Sequence, residues 1–161
     1  MKDLVALFKS FGYAFQGIFT AIKTERNMRI HISCFVYMFF FLCAFDFFEI
    51  TRTQFAILFI ACGLVMGAEL INTSIEAVVD LHGEEHTKFG KIAKDCAAGA
   101  VLIFTIFAVL SGVAIMWQPE AFQKLFQYFT NNLWALILFI ISIILDTLFI
   151  FFGFGKKGKN K

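Results

Sequence analysis

Glu69, Asn72, Glu76 and Asp80 recur at three- and four-residue steps within GAELINTSIEAVVDL, residues 67–81. At 100° per residue they share a sector of roughly 80° on a helix, and Leu70, Ile71, Ala77 and Val78 lie on the other side. The stretch that follows, EEHTKFGKIAKD (residues 84–95), mixes Glu84, Glu85 and His86 with Lys88, Lys91, Lys94 and Asp95. Acids in this pattern can hold Mg²⁺ while lysines meet phosphate oxygens, which is the equipment of phosphoryl transfer. The same residues also suit plainer tasks: an inter-helix ion pair, a snorkelling helix end, or a solvated basic loop that orients the chain in a membrane. His86 alone fits a surface histidine, and His31 an interfacial anchor.

The elements that must carry this stripe follow from composition. Of 161 residues, 60% are apolar and 16% charged, with 24 Phe and 1 Pro. A soluble domain averages about 45–50% apolar and about 25% charged. The excess points to lipid as solvent, and it excludes a disordered chain, a nucleic-acid-binding domain and an ordinary cytosolic enzyme. A net charge of +2 gives no reason for a polyanionic partner. Charge-poor intervals predict membrane helices over residues 30–51, 53–68 with the helical pattern continuing to Leu81, 96–118, and 133–152, the last broken only by Asp146. Residues 3–24 predict a helix lying on the inner leaflet, with Leu4, Leu7, Phe8, Phe11, Phe15, Ile18 and Ile22 in one stripe. Residues 120–129 repeat that pattern, with Pro119 suited to a first turn and Asn131 or Asn132 to capping the fourth span.

Basic residues set the orientation. Lys2, Lys9, Lys23, Arg26 and Arg29 precede the first span, Arg52 alone follows it, and Lys88, Lys91 and Lys94 follow the second. Lys124 alone follows the third, and Lys156, Lys157, Lys159 and Lys161 end the chain. Rich and poor alternate at every crossing, so both termini are expected in the cytoplasm. Charges before residue 30 interrupt any signal-peptide core, and the first span is expected to stay uncleaved. At 1.5 Å per residue, Glu69 lies roughly 25 Å inward from Arg52 and Glu76 roughly 36 Å, at the cytoplasmic edge of a hydrocarbon core of about 30 Å. Carboxylates at that depth are costly and point to function.

Other features are quieter. Cys34, Cys43, Cys62 and Cys96 form no Cys-x-x-Cys pair, so they read as packing residues rather than as a disulfide or zinc framework. The small run CAAGA, residues 96–100, suits close helix packing. No Walker-type loop, G-x-S-x-G or H-E-x-x-H occurs, so a nucleotide site must be of another design. The outer half of the second span, residues 55–65, holds no acid or base, so an ion path would have to use other helices.

ELINTSIEAVVD, followed by AKDCAAGAVL and preceded by GYAFQG (residues 12–17) and TERNMRIH (residues 24–31), resembles the prokaryotic diacylglycerol kinase and undecaprenol kinase family of small integral-membrane lipid kinases. The likeness covers about residues 4–118. It implies an all-α polytopic bundle: an N-terminal surface helix and three core membrane helices, assembled as a homotrimer with active sites between subunits. It implies ATP as co-substrate, Mg²⁺ as cofactor and a lipid alcohol as acceptor, in a bacterial plasma membrane and without nucleic acid. Glu69 stands where the family has its general base, and partial removal from water would strengthen it in that role. Glu25 and Glu76 stand at metal-ligand positions. Tyr13, Glu25, Asn72, Glu76, Asp80, Glu85, His86, Thr87, Lys94 and Asp95 match the nucleotide site, and Glu69 and Ala98 the lipid site.

Three departures stand out. Thr87 stands where many members have a His, the Arg that some members carry upstream of GY has no counterpart at Ala6, with Lys9 the nearest basic residue, and the fourth span lies beyond the three-span core. The chain therefore divides into a kinase domain, 1–118, and an added segment, 119–161. ERN and AKDCAAGAV resemble the undecaprenol branch more than the diacylglycerol branch, so undecaprenol is the expected substrate and diacylglycerol the alternative. A small transporter and a non-catalytic membrane subunit are the competing functions.

Overall fold

The computed structural model describes residues 2–81 and 87–153. Its described residues form six helices: α1 (Lys2–Thr24), α2 (Arg26–Ala44), α3 (Arg52–Asp80), α4 (Lys88–Met116), α5 (Pro119–Asn131) and α6 (Leu133–Phe152). The all-helical bundle expected from the sequence is therefore present. Five helices, all but α5, are long and apolar enough to cross a membrane. That set includes α1, which the sequence reading laid on the inner leaflet. Length and composition alone admit it, although Asp3, Lys9 and Lys23 make it the least apolar of the five.

Element boundaries moved where local chemistry intervened. The first span ends at Ala44 rather than residue 51, because Phe45 turns to an extended backbone. Thr51 then starts α3 with a capping box: its side chain accepts from the Gln54 amide, and the Gln54 side chain accepts from the Thr51 amide. The third span begins at Lys88, well before residue 96, because the Thr87 hydroxyl accepts from the Gly90 amide and caps α4. Pro119 occupies the first turn of α5 as expected. Asn132 precedes α6 but makes no side-chain cap. Its side-chain Nδ2 donates backward to the Tyr128 carbonyl at 2.9 Å.

Helices pack as neighbouring pairs: α3 along α4, α2 on α3, α6 on α2, with α1 touching α2 and α3. The lateral order α4–α3–α2–α6 explains α5. At 13 residues it reaches about 20 Å, which covers most of the way across the bundle from the end of α4 to the start of α6. Lipid supplies no hydrophobic drive between helices, so contact quality decides. Among the buried residues of α3 and α4 several are small or branched: Val65, Ala68, Ala97 and Val101. Between α2 and α3, Phe35, Phe39, Phe55 and Phe59 interlock with ring centroids 4.6–5.8 Å apart, in tilted and edge-on contacts each worth about 0.5–1.5 kcal/mol.

Helix α6 is held on α2 by a polar ladder in antiparallel register. The Arg29 Nε donates to the Ile150 carbonyl at 3.0 Å, the Ser33 hydroxyl to Asp146 Oδ1 at 2.6 Å, and the Tyr37 hydroxyl to Ser142 Oγ at 3.1 Å. Inter-helix hydrogen bonds in lipid average about 0.6 kcal/mol, so their larger effect is to fix register. Most large apolar side chains elsewhere are exposed in the single chain, including Leu102, Phe107, Leu138 and Leu145. That distribution suits a lipid-facing surface. All four cysteines are free thiols.

Candidate active site

The polar stripe folds as a stripe because α3 runs unbroken from Arg52 to Asp80. Its C-terminal half faces the corner where α1 ends and α2 begins. Glu25 occupies that corner at the N-cap position of α2, with an extended backbone. Glu69 is only 1% exposed, and Asn72 is buried as well. Glu25 and Glu76 are the acids that act on Glu69 electrostatically, and the Asn27 amide on α2 is its hydrogen-bonding neighbour. Asn72 Nδ2 donates to Glu76 Oε1 at 3.0 Å, holding that carboxylate one turn further along the helix.

Two buried oxygens in this cluster have no hydrogen-bond partner: Glu69 Oε2 and Asn72 Oδ1. Buried polar atoms are nearly always satisfied, so each exception calls for an explanation. Both atoms are acceptors, and the Glu25 and Glu76 carboxylates are the charges that act on Glu69. The locus is short of protons and positive charge. A hydroxyl donor and a cation would supply both.

Mg²⁺ is commonly held by one or two carboxylates together with phosphate oxygens and water, rather than by a closed protein cage. Among the described residues no group of three or more His, Cys, Asp or Glu forms such a cage. Glu25 and Glu76, with acceptors unsatisfied beside them, fit the open arrangement.

Beside the stripe lies a cleft of about 650 Å³ between α1 and α3, lined among others by Tyr13, Gln16, Thr20, Leu70, Thr73 and Ser74. Its hydroxyls are partly spent. Thr20 donates to the Gln16 carbonyl, Thr73 to the Glu69 carbonyl and Ser74 to the Leu70 carbonyl, at 2.8–2.9 Å. Such back-bonding leaves the walls more apolar than their residue types imply.

Glu25, Glu69, Asn72 and Glu76 are thus brought together, and Tyr13 lines the adjoining cleft. Asp80 turns to the Lys94 ammonium in an ion pair that joins the end of α3 to the first turns of α4. The pair is partly exposed and adds at most about 1 kcal/mol. Asp95 and Ala98 are exposed on α4. Thr87, expected at the nucleotide, has its hydroxyl engaged in the α4 cap. Glu85 and His86 lie outside the described residues. Asn27 was not singled out from the sequence. Its place two residues after Glu25 was the one available signal.

Fold and site together define a polytopic membrane protein with a carboxylate cluster at one end of its longest helices. The prokaryotic diacylglycerol kinase family model matches residues 12–116. A diacylglycerol kinase of Synechocystis sp. is 41% identical over 70% of this chain, and the match spans 63% of that relative's length. An undecaprenol kinase of Bacillus subtilis is 37% identical over 71% of this chain and 90% of its own. A diacylglycerol kinase of Escherichia coli strain K12 is 33% identical over 70% and 89%. The chain belongs to the prokaryotic diacylglycerol kinase family, and by class it is a lipid kinase.

Proposed function

We propose that this protein transfers the γ-phosphoryl group of ATP to the hydroxyl of a membrane lipid alcohol, with undecaprenol as substrate and diacylglycerol as the alternative. One observation carries the reading: a buried carboxylate, Glu69, has an unpartnered oxygen beside Glu25 and Glu76. Glu69 takes the hydroxyl proton as the lipid oxygen bonds to the γ-phosphorus. The bond from that phosphorus to the bridging oxygen breaks, and ADP leaves with the electron pair. Glu25 and Glu76 would hold Mg²⁺, which when bound neutralises phosphate charge. Asn72 keeps Glu76 in place. Most of the acceleration then comes from positioning and charge complementarity.

Tyr13, Asp80, Glu85, His86, Thr87, Lys94 and Asp95 complete the nucleotide site in this reading, and Ala98 borders the lipid. A homotrimer with shared sites accounts for apolar faces of α3 and α4 that the single chain leaves exposed. The B. subtilis relative supports undecaprenol, and the Synechocystis and E. coli relatives support diacylglycerol.

Purified protein given labelled ATP, Mg²⁺ and each lipid in turn is expected to label undecaprenol faster. Faster labelling of diacylglycerol would reverse the substrate choice, and no transfer to either by folded protein would sink the kinase reading. With α1 on the inner leaflet, four crossings remain and both termini face the cytoplasm. Reporters fused at each end are expected to read cytoplasmic. An N-terminal reporter outside would make α1 a fifth crossing.

A further inference from the structure

Arg29 is charged, lies in a membrane helix and is only 6% exposed, yet the proposed chemistry does not use it. Its guanidinium meets carbonyls at two helix ends. Nη1 donates to the Ile22 and Lys23 carbonyls at 3.0 and 3.1 Å, and Nε to the Ile150 carbonyl at 3.0 Å. The last carbonyls of a helix lack intrahelical partners and carry its negative dipole end. In α1 the Ala21 carbonyl is taken by the Glu25 amide at 2.8 Å, and Arg29 takes the next two. The chain can therefore break at Glu25 and restart as α2 with the Ala21, Ile22 and Lys23 carbonyls all satisfied, and this break sets where the Glu25 side chain starts.

The third bond joins that corner to α6. Arg29, Ser33 and Tyr37 step by four along α2, and their partners Ile150, Asp146 and Ser142 step back by four along α6. The register is one-to-one and ends on Arg29. Gly153 closes α6 with φ +57°. A Cβ there would come within 3.1 Å of Arg29 Nη1 and 3.2 Å of Cζ. Glycine at this position lets the α6 terminus lie against the guanidinium.

We propose that Arg29 is a positioning residue through which α6 sets the Glu25 corner, so that the fourth membrane helix tunes metal-nucleotide binding from outside the site. This rests on the kinase reading only for its kinetic test. Arg29→Gln and Gly153→Ala in the full chain are expected to raise the KM for Mg-ATP and the Mg²⁺ half-saturation about tenfold, within the range for groups that support metal ligands. kcat should stay within about threefold. Arg29→Lys, which keeps charge but not the fork, should recover part of the loss. Unchanged KM in both variants, or a fall in kcat alone, would overturn the proposal.

Amide hydrogen exchange in lipid vesicles, with no substrate added, gives a second measurement independent of activity. Gly153→Ala is expected to speed exchange over residues 21–29, and exchange equal to the parent chain's would overturn the coupling. If the parent chain transfers no phosphate to lipid, the kinase reading fails, and the exchange result still decides this one.

Discussion

Glu69→Gln is expected to lower turnover by about 10²–10⁴-fold, the usual contribution of a general base, while Mg-ATP binds within about threefold of the parent affinity. The substitution preserves volume in a site that is 1% exposed, so no cavity forms. It also removes one of three neighbouring negative charges, since Glu25 and Glu76 both act on Glu69. The thermal midpoint should therefore hold or rise. Loss of turnover with retained stability separates a chemical role from a structural one. Single-turnover phosphorylation of the lipid, paired with nucleotide-dependent thermal shift, measures both. Turnover within tenfold of the parent would remove Glu69 as the base.

Glu76→Gln should fail differently. The Glu76 Oε1 accepts the Asn72 Nδ2 hydrogen bond at 3.0 Å, and a glutamine carbonyl can accept the same bond. The change is then one of charge at a metal-binding position. The KM for Mg-ATP is expected to rise about 10–100-fold, as when support for a metal site is lost, with kcat at saturating Mg²⁺ within about tenfold. Titrating Mg²⁺ at fixed ATP checks this. The reverse pattern, with kcat lost at Glu76 and KM raised at Glu69, would exchange the two roles.

The stripe on α3 was legible because helical period alone places Glu69, Asn72, Glu76 and Asp80 on one face. The helix over Leu133–Phe152 was legible as a long apolar run. Periodicity could not reveal which stripe members stay in the cluster. Asp80 leaves it for Lys94, a partner on another helix. The capping role of Thr87 was hidden for a related reason: a threonine hydroxyl in a polar loop suits a cap and a phosphate contact equally, and the start of α4 decides. Arg29 was counted as an orienting charge, and its carbonyl partners at Ile22, Lys23 and Ile150 emerge only when three helices meet. Asp146 looked like a flaw in an apolar run. It is the middle rung of the ladder that docks α6.

At the end of the bundle away from Glu69, a single amide side chain ties two connections together. Gln118 Oε1 accepts from the Glu49 amide at 3.0 Å, and its Nε2 donates to the Glu49 and Ile115 carbonyls, both at 3.1 Å. Phe48 against Phe122, and Phe45 and Phe47 against Tyr128, clasp the same region. The Arg29 contacts and the Asp80–Lys94 pair fasten the opposite end. The bundle is therefore pinned at both ends, and the carboxylate cluster sits inside a frame rather than at a loose edge.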